Sequence, residues 1–148
     1  MRVIGIDLGS RRIGVAVSDS GGVLASPYEV VARSGDESVD HRRLLALAAE
    51  VEAERIVVGL PLSLDGSMGR AATAAVAESE RLAATTGLPV DLYDERFTTV
   101  TADRSLMARN MKADARRRII DKVAAAVMLQ AWLDGRPRSP GPDPLLPE

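Results

Sequence analysis

The stretch IGIDLGSRRIGVAVSD, residues 4–19, joins two apolar runs through a tight glycine-containing turn. The first run, VIGIDL, is apolar apart from Gly5 and Asp7, which predicts a central strand covered on both faces. In the second run, IGVAVS, large apolar residues alternate with small ones, and the following DSGG predicts another turn. Two short connections in succession predict an antiparallel meander whose third strand is VLASPYEVV. A carboxylate, Asp7, therefore stands at the end of a strand that is otherwise buried.

The pattern changes to alternating helices and strands after the meander. The predicted elements are a helix over 38–53, a strand at 55–60, an alanine-rich helix at about 69–86 that ends before Gly87 and Pro89, a strand at 89–95, and helices near 99–110 and 115–133. Right-handed crossovers should make the later strands parallel to the first. The result is an α/β fold with a five-stranded mixed sheet flanked by helices, in an order that resembles the ribonuclease H-like fold.

Composition limits the class of protein. The 148 residues predict one domain, over 1–134, followed by a proline-rich tail at 135–148 whose composition predicts disorder. The chain has no cysteine, which excludes disulfides, thiol catalysis and cysteine-based zinc sites. It contains no apolar run near the roughly 20 residues needed to span a membrane. It also has no signal-peptide pattern, so we expect a cytoplasmic protein without a membrane partner.

The net charge of −2 conceals a basic segment. The segment from Asp103 to Lys122 contains seven basic residues and three acidic ones. A local basic patch can bind nucleic acid even when the whole chain is mildly acidic, so a nucleic-acid partner remains open.

Three acidic residues occupy positions where apolar residues are expected. Asp7 lies in the first strand, and Glu95 lies at the carboxyl end of the fifth, where parallel α/β sheets place their ligand sites. Asp121 shares a helix stripe with apolar residues, namely Ala124, Ala125, Met128 and Trp132. Inward carboxylates lose hydration and repel one another, and a divalent cation removes both penalties. The acids thus predict a site for one or two Mg²⁺ or Mn²⁺ ions that act on a phosphodiester.

Each acid also has an ordinary structural interpretation. Asp7 is compatible with a role in capping the turn, and Glu95 with an ion pair to Arg96 or another arginine. Asp121 is compatible with an ion pair to Arg117 or Lys122. The joint placement of the three acids on elements that should converge favours the site.

Four motifs together resemble the YqgF (RuvX-like) family of bacterial nucleases, which has a ribonuclease H-like fold. They are GIDLGSRRIGVAVSD, IVVGLPLSLDGSMG, DERFTTVTAD and IIDKVAAAVMLQAWL, and the resemblance covers about residues 2–134. Family members are described either as pre-16S rRNA processing nucleases or as Holliday junction resolvases. The resemblance implies that Asp7, Glu95 and Asp121 are the catalytic, metal-binding acids. The chain departs from the family pattern in DERFTT, where DERLST is usual, and at Ser63, where Asn is common.

Several other side chains are candidates for contact with nucleic acid. Arginines next to the acids can hold backbone phosphates, and the loop at 59–69 can receive a phosphate at the helix that follows it. The candidates are Arg11, Arg12, Arg96, Ser67, Arg117 and Lys122. We expect His41 at the surface and Trp132 in the core.

The function that these patterns favour is a metal-dependent nuclease in 5′-end processing of pre-16S rRNA. Three alternatives stay open: a Holliday junction resolvase, a non-catalytic RNA-binding module of ribosome assembly, and an ATPase of the actin and Hsp70 type. The ATPase requires a second domain with a second phosphate loop, which these residues do not supply. The expected partners are structured RNA and possibly branched DNA, and the chain is expected to be a monomer or a homodimer.

Overall fold

The computed structural model of the chain describes residues 1–97 and 114–136. It contains five strands, three helices and a short 3₁₀ turn at Glu95–Phe97 within those ranges. The strands are β1 (Val3–Leu8), β2 (Arg12–Ser18), β3 (Ala25–Ala32), β4 (Arg55–Leu60) and β5 (Val90–Asp94). The helices are α1 (Glu37–Glu50), α2 (Arg70–Thr86) and α3 (Asp114–Gly135).

The strands form one mixed sheet in the order β3-β2-β1-β4-β5. β1 pairs antiparallel with β2, and β2 with β3, with a register irregularity between Val15 and Ala16. β4 lies parallel to both β1 and β5. The predicted meander, the parallel later strands and the five-stranded mixed sheet are therefore confirmed.

Each face of the sheet is covered by its own helices. Val3 of β1, Ala16 of β2 and Val57 of β4 pack with apolar residues of α3 on one face. Ile4 and Ile6 of β1 belong to a second apolar cluster on the opposite face, together with residues of α1 and α2. Because side chains alternate along a strand, β1 is buried on both faces, which is why its sequence is almost continuously apolar.

The helix boundaries follow local signals. The side chain of Asp36 caps α1 by accepting a hydrogen bond from the amide of Ser38. The helix ends at Glu50, three residues before the predicted end. α2 runs as predicted and ends before Gly87, which adopts a left-handed conformation at φ 70°.

α3 extends the last predicted helix to Gly135, close to the predicted domain boundary. Trp132 is partly buried against the apolar cluster under α3, so the core position predicted for it is confirmed. The helix predicted at 99–110 and most of the proline-rich tail lie outside the described residues. No helix within 1–97 and 114–136 is long and apolar enough to cross a membrane.

Candidate active site

Asp7 lies on the face of the sheet that α3 covers. It lies on the same face of β1 as Val3 and Gly5. A Cβ atom added to Gly5 would lie 2.8 Å from Cβ of Leu129 in α3. Asp7 is only 6% exposed. The strand thus places this carboxylate on the face that α3 covers, largely shielded from bulk water.

Gly14 brings Asp121 to the same place. Asp7 pairs with Gly14 in the β1–β2 register. A Cβ atom on Gly14 would lie 2.2 Å from the backbone oxygen of Asp121, which means that the α3 backbone rests directly on β2 at this point. The absence of a side chain at Gly14 therefore allows Asp121 to approach the strand position opposite Asp7.

Glu95 reaches the same face from β5. It is the first residue after that strand, opens the 3₁₀ turn, and is 6% exposed. A Cβ atom on Gly59 of β4 would lie 2.3 Å from Oε1 of Glu95, so the carboxylate lies over that glycine. Val57, two residues before Gly59, packs against α3, which assigns Gly59 and the Glu95 carboxylate to the α3 face.

The structure thus brings the three predicted acids to one face, near the carboxyl ends of β1, β4 and β5. They arrive from three separate elements, as the sequence predicts. Asp7 and Glu95 are buried, and the Asp121 side chain keeps 17% of its surface exposed. This edge is where open α/β sheets place ligand sites.

Arg12 is the ion-pair partner of Asp121. Its Nε atom donates to Oδ2 of Asp121 at 2.8 Å, and both side chains are largely buried. The alternative partners considered for this acid, Arg117 and Lys122, are exposed and half-buried. One carboxylate oxygen of the site is therefore already engaged by a residue that was expected to hold a phosphate.

The three acids fit a hard divalent cation by their chemistry, since they offer only carboxylate oxygens. Their side chains are nevertheless not gathered around a single point. Among the described residues, the group of three whose ligand atoms all lie within 4.8 Å of one another is Glu37, His41 and Glu78. Closing the Asp7 site around one cation would therefore require side-chain movement.

The group of Glu37, His41 and Glu78 was missed by the sequence analysis, and the surface position expected for His41 was wrong. His41 is 1% exposed and its Nε2 lies 2.8 Å from Oε2 of Glu78. A signal was present, because Leu44 lies one helical turn after His41 on the buried stripe of α1.

Ion pairs with arginine account for this second group. Glu78 accepts two hydrogen bonds from Arg33, at 2.7 and 2.9 Å. Glu37 accepts from Arg81, which holds the pKa of that carboxyl below its usual range. Both carboxylates bind a cationic side chain, so the group is part of a polar network between α1 and α2 whose negative charges are paired with arginine.

The remaining candidates surround the acids to different degrees. Arg96 binds Asp94 through Nε at 2.9 Å and Nη2 at 2.6 Å, which lowers the pKa of the Asp94 carboxyl. It also donates to the backbone oxygen of Leu64 at 3.4 Å and so ties the 61–69 loop to the end of β5. The amide and hydroxyl of Ser67 both donate to Asp65, at 2.9 and 2.6 Å. Arg11 is exposed at the turn after β1.

The fold and the site define a class before any relative is considered: a ribonuclease H-like domain with carboxylates near the carboxyl ends of its parallel strands. RuvC from Thermus thermophilus, solved with a Holliday junction substrate, superposes with a TM-score of 0.55 at 20% identity, over 90% of this chain and 93% of that one. A second RuvC structure from that organism gives a TM-score of 0.53 at 20% identity, over 90% and 94% of the two chains. These likenesses establish the fold.

Residues 1–135 match the model of the RuvX family, described as Holliday junction resolvase, and the chain belongs to this family. A protein of Rhodococcus erythropolis named pre-16S rRNA nuclease is 49% identical over 145 residues, covering 95% of this chain and 82% of that one. A protein of Mycobacterium tuberculosis with the same name is 50% identical over 137 residues, covering 91% and 79%. The family expected from the four motifs is confirmed.

Proposed function

We propose that this chain is a metal-dependent nuclease that hydrolyses phosphodiester bonds in the 5′-end processing of pre-16S rRNA. The observation that carries the proposal is the convergence of Asp7, Glu95 and Asp121 on the α3 face of the sheet. Membership in the RuvX family and the name shared by the relatives support the same activity.

Asp7, Glu95 and Asp121 would hold one or two Mg²⁺ or Mn²⁺ ions. Bound there, such ions lower the pKa of a water molecule for attack and stabilise the leaving oxygen of the phosphodiester. The protein contributes the positions of the ligands: β1 fixes Asp7, the turn after β5 fixes Glu95, and α3 fixes Asp121. Glycines at the two contact points let these ligands approach the sheet.

Cationic side chains near the acids would bind the phosphate backbone of a structured RNA. Arg11 is exposed next to the site, and Arg117 is exposed in the first turn of α3, three residues after the helix begins. Arg12 would release Asp121 and bind a phosphate instead, since a guanidinium forms hydrogen bonds with either anion. Lys122 and Arg96 lie beside two of the acids in sequence and would extend this contact. Ser67 would contribute only after leaving Asp65.

The description of the matching family favours one second candidate, a Holliday junction resolvase. Such an enzyme cuts two strands related by a two-fold axis and therefore acts as a symmetric dimer. The rRNA-processing function makes no such demand. Substrate preference and oligomeric state therefore separate the two candidates.

The deciding experiment compares cleavage of a pre-16S rRNA fragment and a four-way DNA junction, each with Mg²⁺ and with Mn²⁺. We expect metal-dependent cleavage of the rRNA that Asp7→Asn abolishes and that Glu95→Gln and Asp121→Asn each reduce to a low but measurable rate. Glu80→Gln, at an exposed position of α2, is the matched control and should cleave like the wild type. Preferred cleavage of the junction would establish the resolvase instead.

Binding of the rRNA fragment without cleavage under either metal would contradict both nuclease candidates. That outcome would leave the non-catalytic module of ribosome assembly as the function. Circular dichroism of each acid variant distinguishes lost chemistry from lost folding.

A further inference from the structure

Arg33 connects the turn between β1 and β2 to helix α2. Its Nε atom donates to the backbone oxygen of Gly9 at 2.9 Å. Its backbone amide donates to the backbone oxygen of Arg11, also at 2.9 Å. The two terminal nitrogens of its guanidinium bind the carboxylate of Glu78, at 2.7 and 2.9 Å. Arg33 is thus hydrogen-bonded to the turn at two backbone oxygens and to α2 through one carboxylate.

The far end of this contact is rigidly held. Glu78 is 7% exposed and binds His41 of α1 at 2.8 Å in addition to Arg33, so two helices orient its carboxylate. The hydrogen bonds with Glu78 raise the pKa of Arg33, which keeps the guanidinium charged. A bidentate arginine–carboxylate pair of low exposure fixes the orientation of the guanidinium as well as its distance from the carboxylate.

The near end of the contact is the turn that carries the site. The amide of Gly9 donates to the backbone oxygen of Asp7 at 3.0 Å. A Cβ atom on Gly9 would lie 2.3 Å from the backbone oxygen of Arg12, so the turn is tightly closed. Asp7 precedes this turn, and Arg12, the partner of Asp121, follows it. A shift of the turn would therefore move one of the three acids, Asp7, and the ion-pair partner of another, Asp121.

We propose that Arg33, held by Glu78 and His41, is a positioning residue that fixes the β1–β2 turn and thereby the placement of Asp7 and Arg12. Its catalytic consequence rests on the proposed nuclease function, but its structural consequence does not. His41 and Glu78 belong to the helices on the face opposite α3, so this network would act on the site through the turn and without touching the substrate.

Amide hydrogen exchange tests the structural consequence, with Arg81→Ala as the matched control. Arg81 binds Glu37, and so links the same two helices through an arginine–glutamate pair away from the turn. We expect Arg33→Ala to accelerate exchange at residues 8–12 by about tenfold or more while β4 stays protected, and Arg81→Ala to leave the turn unchanged. Equal acceleration in both variants, or acceleration spread evenly into β4, would overturn the proposal.

Arg33→Lys serves as a second variant that keeps the charge and is more certain to fold. Lysine cannot form the bidentate contact with Glu78 and also donate to Gly9. We therefore expect the amide hydrogens of the turn to exchange as fast as in Arg33→Ala. Exchange at the wild-type rate in Arg33→Lys would show that charge alone is sufficient and would overturn the proposal.

Kinetics of the same variant test the catalytic consequence. We expect Arg33→Lys to lower kcat about tenfold or more with KM unchanged, because misplaced ligands slow the chemical step and leave substrate binding intact. A loosened turn with wild-type kcat would overturn the positioning role. Absence of cleavage by the wild type would instead overturn the nuclease function, and the exchange result would stand independently.

Discussion

Arg12 and Asp121 form an ion pair, with 2.8 Å between Nε and Oδ2, that joins β2 to α3 at the candidate active site. The two residues lie 109 positions apart in the chain. The guanidinium binds Oδ2, one of the two carboxylate oxygens of Asp121, so a divalent cation held through that oxygen in the proposed nuclease would compete with Arg12.

The competition predicts that Arg12→Gln tightens metal binding. A partly exposed ion pair contributes about 0.2–1 kcal/mol, which corresponds to an increase in affinity of up to about fivefold. Calorimetric titration with Mn²⁺ in the absence of nucleic acid measures this directly. Arg11→Gln removes a neighbouring exposed charge and should have a smaller effect. Equal effects of the two substitutions would show that only the overall positive charge matters, and weaker binding in Arg12→Gln would contradict the competition.

The contact between α3 and β2 predicts that Gly14→Ala destabilises the fold. The added Cβ would lie 2.2 Å from the backbone oxygen of Asp121, and a backbone atom cannot move aside without shifting the helix. We expect a loss of about 1–3 kcal/mol in the free energy of unfolding, measured with urea. Gly21→Ala is the control, because its Cβ would meet no atom closer than 3.9 Å. Similar stability of the two variants would contradict this packing.

The ion pair between Asp94 and Arg96 predicts a pH-dependent contribution to stability. Hydrogen bonding to Arg96 lowers the pKa of the Asp94 carboxyl in the folded state. A carboxyl of this kind stabilises the fold above its unfolded pKa, and the stabilisation is lost as the pH falls through the lower folded value. Asp94→Asn should therefore be less stable than the wild type near pH 7, and the difference should disappear well below about pH 4.

Urea unfolding of the wild type and Asp94→Asn across this pH range provides the measurement. Asp134→Asn, at an exposed position near the end of α3, controls for the loss of one negative charge. A difference between wild type and Asp94→Asn that stays constant down to about pH 3 would contradict the assigned ion pair.

The sheet could be predicted from sequence because its signals are local. β1 and β4 are short apolar runs between clear turn signals, and crossover handedness then gives their parallel pairing. The three acids could be proposed as candidates from sequence because each stands out within its own element: Asp7 in a buried strand, Glu95 at a strand end, and Asp121 on an apolar stripe.

The partners of these residues could not be predicted, since they depend on contacts between distant parts of the chain. Arg12 meets Asp121 only because Gly14 lets α3 approach β2. Likewise, His41 meets Glu78 across 37 residues, whereas the buried acid next to it in sequence, Asp40, accepts a hydrogen bond from the amide of Ser34 instead. Contacts of this kind depend on how separate elements pack against each other, and the residue pattern of a single element does not specify that packing.

Glu95 over Gly59 gives a substitution that should separate activity from stability. In Gly59→Ala the added Cβ would lie 2.3 Å from Oε1 of Glu95, so the carboxylate must move. Because this atom is the end of a flexible side chain, the free energy of unfolding should fall by less than in Gly14→Ala. Cleavage should fall by about 100-fold or more, since a displacement near 1 Å in a catalytic group has an effect of this size.

A double-substitution cycle with Glu95→Gln tests whether the effect of Gly59→Ala acts through Glu95. If the alanine acts by displacing the Glu95 carboxylate, Gly59→Ala should produce no further loss of cleavage once that carboxylate has been replaced. Rates are measured on the pre-16S rRNA fragment at saturating metal, and urea unfolding gives the stability of all four proteins. Independent, multiplicative losses would mean that Gly59→Ala lowers cleavage by a route other than displacement of the Glu95 carboxylate.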